Sequence, residues 1–172
     1  MSELVSTIDI RPQLTIVSHY GEKPPSMVNL ITVLQNKLAV FLGSAFNPYE
    51  IEQVHGTIIG MEGRLTAKGI INRWNKENLK KEDSIDLPGL LKFVLSDRIG
   101  KIEIRIGGWQ LHKDYGFESG NQHPYLRSFS MQGEVAVAMG WPIKNGKYSE
   151  SLYLLRRSFE DFNVCHKYNK EW

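Results

Sequence analysis

Cysteine, surplus charge and long apolar runs are all scarce in this chain, and each scarcity closes off a class of protein. Cys165 is the single cysteine among 172 residues, which excludes an intramolecular disulfide and suits a reducing compartment. The formal net charge is +2, from 21 Lys and Arg against 19 Asp and Glu. That is too small for nucleic-acid binding by bulk electrostatics, so any anion site must come from local placement. Met1 to Arg11 carries Glu3 and Asp9 and no apolar run of signal-peptide length. No segment approaches the roughly 18 apolar residues of a membrane span, so the expected setting is the cytoplasm, with no membrane partner. Walker loop, zinc-ligand spacing and nucleophile elbow are missing as well, and Gly56, Gly60 and Gly63 lack dinucleotide spacing. No cofactor and no metal are expected.

The apolar and charged fractions, 41% and 23%, are those of an ordinary globular protein. One domain, residues 1–172, is expected, built as two lobes over 12–70 and 84–172. Leu14 to Ser18 reads as a strand. A helix follows, with Ser26 as N-cap and apolar residues from Met27 to Leu42 at three- and four-residue spacing, until Gly43 stops it. Asn72 to Asp86 reads as a solvated connection. Asp86 caps a second helix carrying Leu87, Leu90, Leu91, Val94 and Leu95. Lys101 to Ile106 alternates, with Ile102, Ile104 and Ile106 on one face and Glu103 and Arg105 on the other. Leu126 to Met131 and Glu134 to Met139 form a hairpin around Gln132-Gly133, and Gly140-Trp141-Pro142 closes its second strand. A final helix from near Ser149 carries Leu152, Leu155, Phe159 and Phe162. The fold class is therefore α+β, with antiparallel-rich sheet and amphipathic helices outside. No repeat or low-complexity tract interrupts it.

The chemistry concentrates at Val54-His55-Gly56-Thr57-Ile58-Ile59. Alternation makes this a half-buried strand, with Val54 and Ile58 on one face and His55 and Thr57 on the other, about 7 Å apart. An imidazole that titrates near neutrality then stands beside a hydroxyl able to hold a phosphate oxygen. His55-Gly56-Thr57-Ile58 resembles the His-x-Thr-hydrophobic motif of the 2H phosphoesterases, the superfamily of RNA ligase-like proteins and cyclic phosphodiesterases. The resemblance implies two lobes facing across a cleft, each giving one such motif, and metal-independent opening of a cyclic phosphodiester. One imidazole takes a proton from water and the other protonates the departing ribose oxygen, while the hydroxyls hold the non-bridging oxygens. The implied ligand is a nucleotide or an RNA end.

By element order the second motif would follow Phe162. His166-Lys167-Tyr168 is the nearest match there, and Ser128-Phe129-Ser130-Met131 is an alternative with serine in the histidine position. With one histidine, activity is expected to be reduced. If the Ile and Val faces pack inward, the cleft is lined by His55, Thr57, Glu103, Arg105, Ser128 and Ser130, with Arg105 the best-shaped phosphate ligand. Two other readings stand beside this one. In one, the fold only binds a nucleotide or a protein. In the other, a second copy or a separate chain supplies the missing last strand, giving a homodimer or a complex.

Overall fold

The computed structural model describes residues 14–166, which fall into two compact units. One runs through Ile85 and takes up again at Asn163; the other is Asp86–Phe162. The fold is mixed helix and antiparallel sheet, the α+β class expected.

In the first unit, β1 (Thr15–Ser18) leads through a turn to α1 (Pro25–Leu42), a 3₁₀ turn at Ile51–Gln53 and β2 (Gly56–Gly60), which pairs antiparallel with β1. Pro24, not Ser26, is the N-cap of α1. Two prolines pre-set φ there, and the Pro24 carbonyl accepts from Met27 and Val28 N–H at 2.9 and 3.1 Å. Gly43, at φ 56°, ends the helix. Its apolar stripe is incompletely covered: Ile31 is buried, but Val40 and Phe41 are almost fully exposed. Pro25–Ala45 is also long and apolar enough, by length and composition alone, to cross a membrane. This corrects the expectation that no segment approaches a span: Asn29, Thr32, Gln35, Asn36 and Lys37 interrupt the apolar run without bringing its hydropathy below that mark.

β3 (Gly63–Thr66) and β4 (Gly69–Asn72) form a hairpin around Ala67-Lys68. The expected solvated connection after it is instead partly interior. Asn72 is fully buried, and Asn75, in the π-helical turn Asn75–Leu79, and Ile85 are buried too. Hydrogen bonding explains the inversion. Asn72 Nδ2 donates to the Met61 and Cys165 carbonyls at 2.6 and 3.2 Å, and its Oδ1 accepts from Asn75 N–H at 2.9 Å. Asn75 Nδ2 donates to Asn163 O, and Asn163 Nδ2 donates to Ser84 O. A polar stretch can be buried at little cost when each amide finds a backbone partner. Through these bonds Val164 and Cys165, both buried, are held in the first unit.

In the second unit, α2 (Leu87–Val94) is capped as expected: Asp86 Oδ1 accepts from Gly89 N–H at 3.0 Å. A Cβ at Gly89 would collide with that carboxylate. β5 (Glu103–Ile106) follows, then a short α3 (Pro124–Arg127), β6 (Phe129–Gln132), β7 (Val135–Ala138), β8 (Gly140–Lys144), β9 (Lys147–Tyr148) and α4 (Ser151–Ser158), which tightens into a 3₁₀ turn at Phe159–Phe162. Gly140-Trp141-Pro142 therefore opens a strand rather than closing one. β8 lies between β5 and β9. Asn145-Gly146, at φ 53° and 75°, makes the tight β8–β9 turn. Phe159, packed edge-on against Phe93 at 6.0 Å, Leu90 and Pro124 are fully buried in this unit.

Candidate functional site

His55 lies one residue before β2, and Thr57 lies within it; both side chains are exposed. Strict alternation would put the fully buried Ile59 on the face of Thr57. The ladder resolves the conflict. Ile16 pairs with Ile59 but Val17 pairs with Thr57, so Ile58 is an extra residue on β2. This β-bulge resets the alternation, sending Ile59 inward while Thr57 stays in solvent. Gly56 faces Ser18, whose Oγ donates to the Gly56 carbonyl at 3.3 Å; a Cβ at position 56 would stand 2.9 Å from that oxygen.

The imidazole is oriented. His55 Nδ1 lies 2.7 Å from the Gln53 carbonyl oxygen. A carbonyl only accepts, so Nδ1 carries the hydrogen and Nε2 presents its lone pair. Thr57 Oγ1 has no hydrogen-bond partner among the described residues, which leaves the hydroxyl available to an anion. Tyr20, 64% exposed, sets its ring 5.9 Å from the His55 ring. The turn that presents it is sharply bent, with His19 at φ 58° and Gly21 at φ 86°. Lys23 is buried, and its ammonium donates to Gly21 O at 2.8 Å and to Glu52 O at 3.0 Å. Sequence reasoning missed Tyr20 and Lys23. The one available signal was the density of turn residues from His19 to Pro25.

Arg105, Ser128 and Ser130 lie in the second unit. Arg105 shares a sheet face with Trp141, its partner across the ladder. Its guanidinium stacks 4.2 Å from the Trp109 ring centre and 5.3 Å from that of Tyr115. Nε donates to Gly107 O at 3.2 Å, and Nη2 donates to Gly108 O. The aromatic face, with Trp109 and Trp141 buried, is thus the packed one, while Ile104 and Ile106 are each 40% exposed. This corrects the expected facing, because aromatic area outweighs two isoleucines in deciding which face is covered. We expect Arg105→Ala to lower the stability of this unit by about 1–2 kcal/mol through the lost stacking, read by urea melting followed through tryptophan fluorescence. An unchanged midpoint would mean that the guanidinium holds nothing.

The hairpin is corrected too. Ser130 pairs with Val137 and Met131 with Ala136, so Phe129, Met131, Ala136 and Ala138 share one face and Ser130 and Val137 the other. The turn falls at Gly133-Glu134, one residue later than expected, which slides the pairing by two residues; the ladder sets Ser130 on the face of Val137 rather than opposite it. Ser128 precedes β6 at the end of α3, and its Oγ donates to Tyr125 O at 2.8 Å. His166 is half-buried; Lys167 and Tyr168, the rest of that motif candidate, lie outside the described residues.

Ionisations shifted by the fold lie around the π-helical turn, where Lys76, Glu77, Lys80 and Glu82 line an open cavity of about 350 Å³. A hydrogen bond from Arg73 holds the Glu77 carboxyl below its usual range, and one from Lys76 does the same for Glu82. Depressed carboxyl values stabilise the folded state fully above the unfolded value, about 4.3. That contribution is lost as pH falls through the lower folded values. Glu77→Gln should flatten the acid side of the stability profile of the first unit while leaving the slope above pH 6 unchanged; an identical acid limb would refute the assignment.

Among the described residues no group of three or more His, Cys, Asp or Glu side chains is placed to hold a metal ion. No protein-family model, curated protein or solved structure matches this chain.

Proposed function

We propose that this chain is a 2H-like phosphoesterase of reduced activity, acting on a cyclic phosphodiester of a nucleotide or an RNA end. The observation that carries the reading is His55 held through Nδ1 on the Gln53 carbonyl, with Nε2 open and the unpartnered Thr57 hydroxyl two residues on. In this mechanism Nε2 removes a proton from water, and the water oxygen attacks phosphorus. The ring P–O bond breaks, and the departing ribose oxygen takes its proton from solvent, since the sequence holds no second His-x-Thr or His-x-Ser motif to give one. Thr57 donates to a non-bridging oxygen as charge develops there. Arg105 and Ser128 are left out of this chemistry because both are engaged with carbonyls of their own unit. The exposed Tyr20 ring beside the imidazole favours a nucleotide over a small phosphodiester, because a nucleobase can stack on it.

A nucleotide-binding module without turnover is the second reading, favoured by a sequence that holds one His-x-Thr motif where the chemistry wants two. Incubation with 2′,3′-cyclic nucleotides, and with RNA ending in a cyclic phosphate, separates the two when chelator is present. Slow ring opening supports the enzyme, and binding alone supports the module. Absence of both would remove the phosphodiester reading.

A further inference from the structure

The segment that orients His55 is itself anchored by a buried cation. Lys23 is 9% exposed, just before α1, and its ammonium reaches across to the 3₁₀ turn Ile51–Gln53. Nζ donates to Glu52 O at 3.0 Å and to Gly21 O at 2.8 Å, and Gly21 N–H donates to the same Glu52 carbonyl at 2.8 Å. Glu52 and Gln53 are adjacent, and the Gln53 carbonyl is the group that holds His55 Nδ1. At the other end of the turn, Glu50 N–H donates to Gln53 Oε1 at 3.3 Å, a reciprocal cap that stiffens the same three residues.

A solvated lysine head is the ordinary state, and a buried one persists only when its N–H groups are met. Here two backbone carbonyls meet it, and charge-assisted bonds of this kind are stronger than neutral ones. The geometry points to Lys23 as a positioning residue for His55. By fixing where the Glu52 and Gln53 carbonyls lie, it holds the imidazole in the Nδ1–H form and keeps the Nε2 lone pair facing outward. Lys23 acts through the turn and need not touch substrate. The use of that lone pair as a base rests on the phosphodiester reading, but the control of the tautomer does not.

The test is the tautomer itself, read from the ¹⁵N shifts of the two His55 ring nitrogens in the full chain. Lys23→Met leaves the Glu52 and Gly21 carbonyls without their cation and frees the turn. The ratio of Nδ1–H to Nε2–H forms is then expected to fall about fivefold, the equilibrium weight of one ordinary hydrogen bond. Lys23→Arg, which keeps a charged donor, is expected to restore most of the ratio. If Lys23→Met does not fold, Lys23→Gln, with a shorter polar head, is read in the same way. An unchanged ratio in a variant whose Asn72 and Ile59 amide signals stay native overturns the inference. Turnover is assayed separately on cyclic nucleotide. A shifted tautomer with no turnover in any protein, wild type included, leaves the positioning role intact and removes only the enzymatic reading.

Discussion

Replacing Asn72 with leucine is expected to destabilise the first unit by about 3 kcal/mol or more, because three buried backbone groups lose their partner at about 1–3 kcal/mol each. Those groups are the carbonyls of Met61 and Cys165 and the N–H of Asn75. Leucine matches the branching of asparagine but is larger, so strain from overpacking a fully buried site adds to the loss. Asn72→Asp should be worse than leucine at neutral pH. Its carboxylate would still accept from Asn75 N–H but would face two carbonyl oxygens with no hydrogen to offer either. Urea melts of the two variants, followed through resolved amide signals of Ile59 and Val164, give the comparison. Destabilisation below about 1 kcal/mol would mean that water or backbone relaxation satisfies those groups. A second consequence is spatial: Val164 and Cys165 should lose amide protection before β1 and β2 do, since one of their ties runs through this side chain.

Removing the imidazole is expected to act on rate and hardly at all on stability. Loss of one proton-transfer group costs on the order of 10²- to 10⁴-fold, so ring opening by His55→Ala should fall in that range. Thr57→Val, which keeps the shape and removes the hydroxyl, should cost on the order of 10²-fold if Thr57 is the donor to the charged oxygen. Both side chains are exposed, so melting midpoints should move little. Near-normal turnover in His55→Ala would retire this imidazole from the chemistry. Full turnover in Thr57→Val with a loss in Thr57→Ser would show that the β-branch, not the hydroxyl, matters. Carrying both variants through binding as well as turnover tells uniform binding from transition-state stabilisation: a loss in kcat/KM with unchanged nucleotide affinity assigns the residue to the chemical step.

Elements written by local rules were legible in the sequence. Periodicity located α1 almost to the residue, and the Asp86 side chain announced the start of α2. β5 followed from alternation. What failed was information carried across the chain. The polar run after Asn72 reads as solvated because its partners, Cys165 and Asn163, are some ninety positions away. Glycine and proline misled at Gly140 and Pro142, where a strand accepts both. Gly140 lies against Ile104 and Ile106 on a face with no room for a Cβ, and Pro142, which has no N–H, is tied in through its carbonyl, which accepts from Ser149 N–H at 2.9 Å. Asn145-Gly146 was a readable hairpin signal that the reading passed over.

At the candidate site, the closeness of His55 and Thr57 was visible in four letters, and the bulge that sends Ile59 inward while Thr57 stays exposed was not. A one-residue slip leaves no mark in composition; only the partner strand reveals it. Tyr20 and Lys23 were invisible for a related reason. An exposed tyrosine and a lysine before two prolines look like loop filler until the turn closes on Glu52.

The second unit begins at Asp86 and ends at Phe162, and the Asp86 N–H donates to the Phe162 carbonyl at 3.1 Å. It is thus an insertion with touching ends, and a ribosome makes all of it before Val164 and Cys165 exist. The piece of chain that emerges first is therefore the last to be completed, and until then Asn72 has nothing to grip on one side. Folding during synthesis should run from the middle outward, with the earlier strands waiting on the later ones.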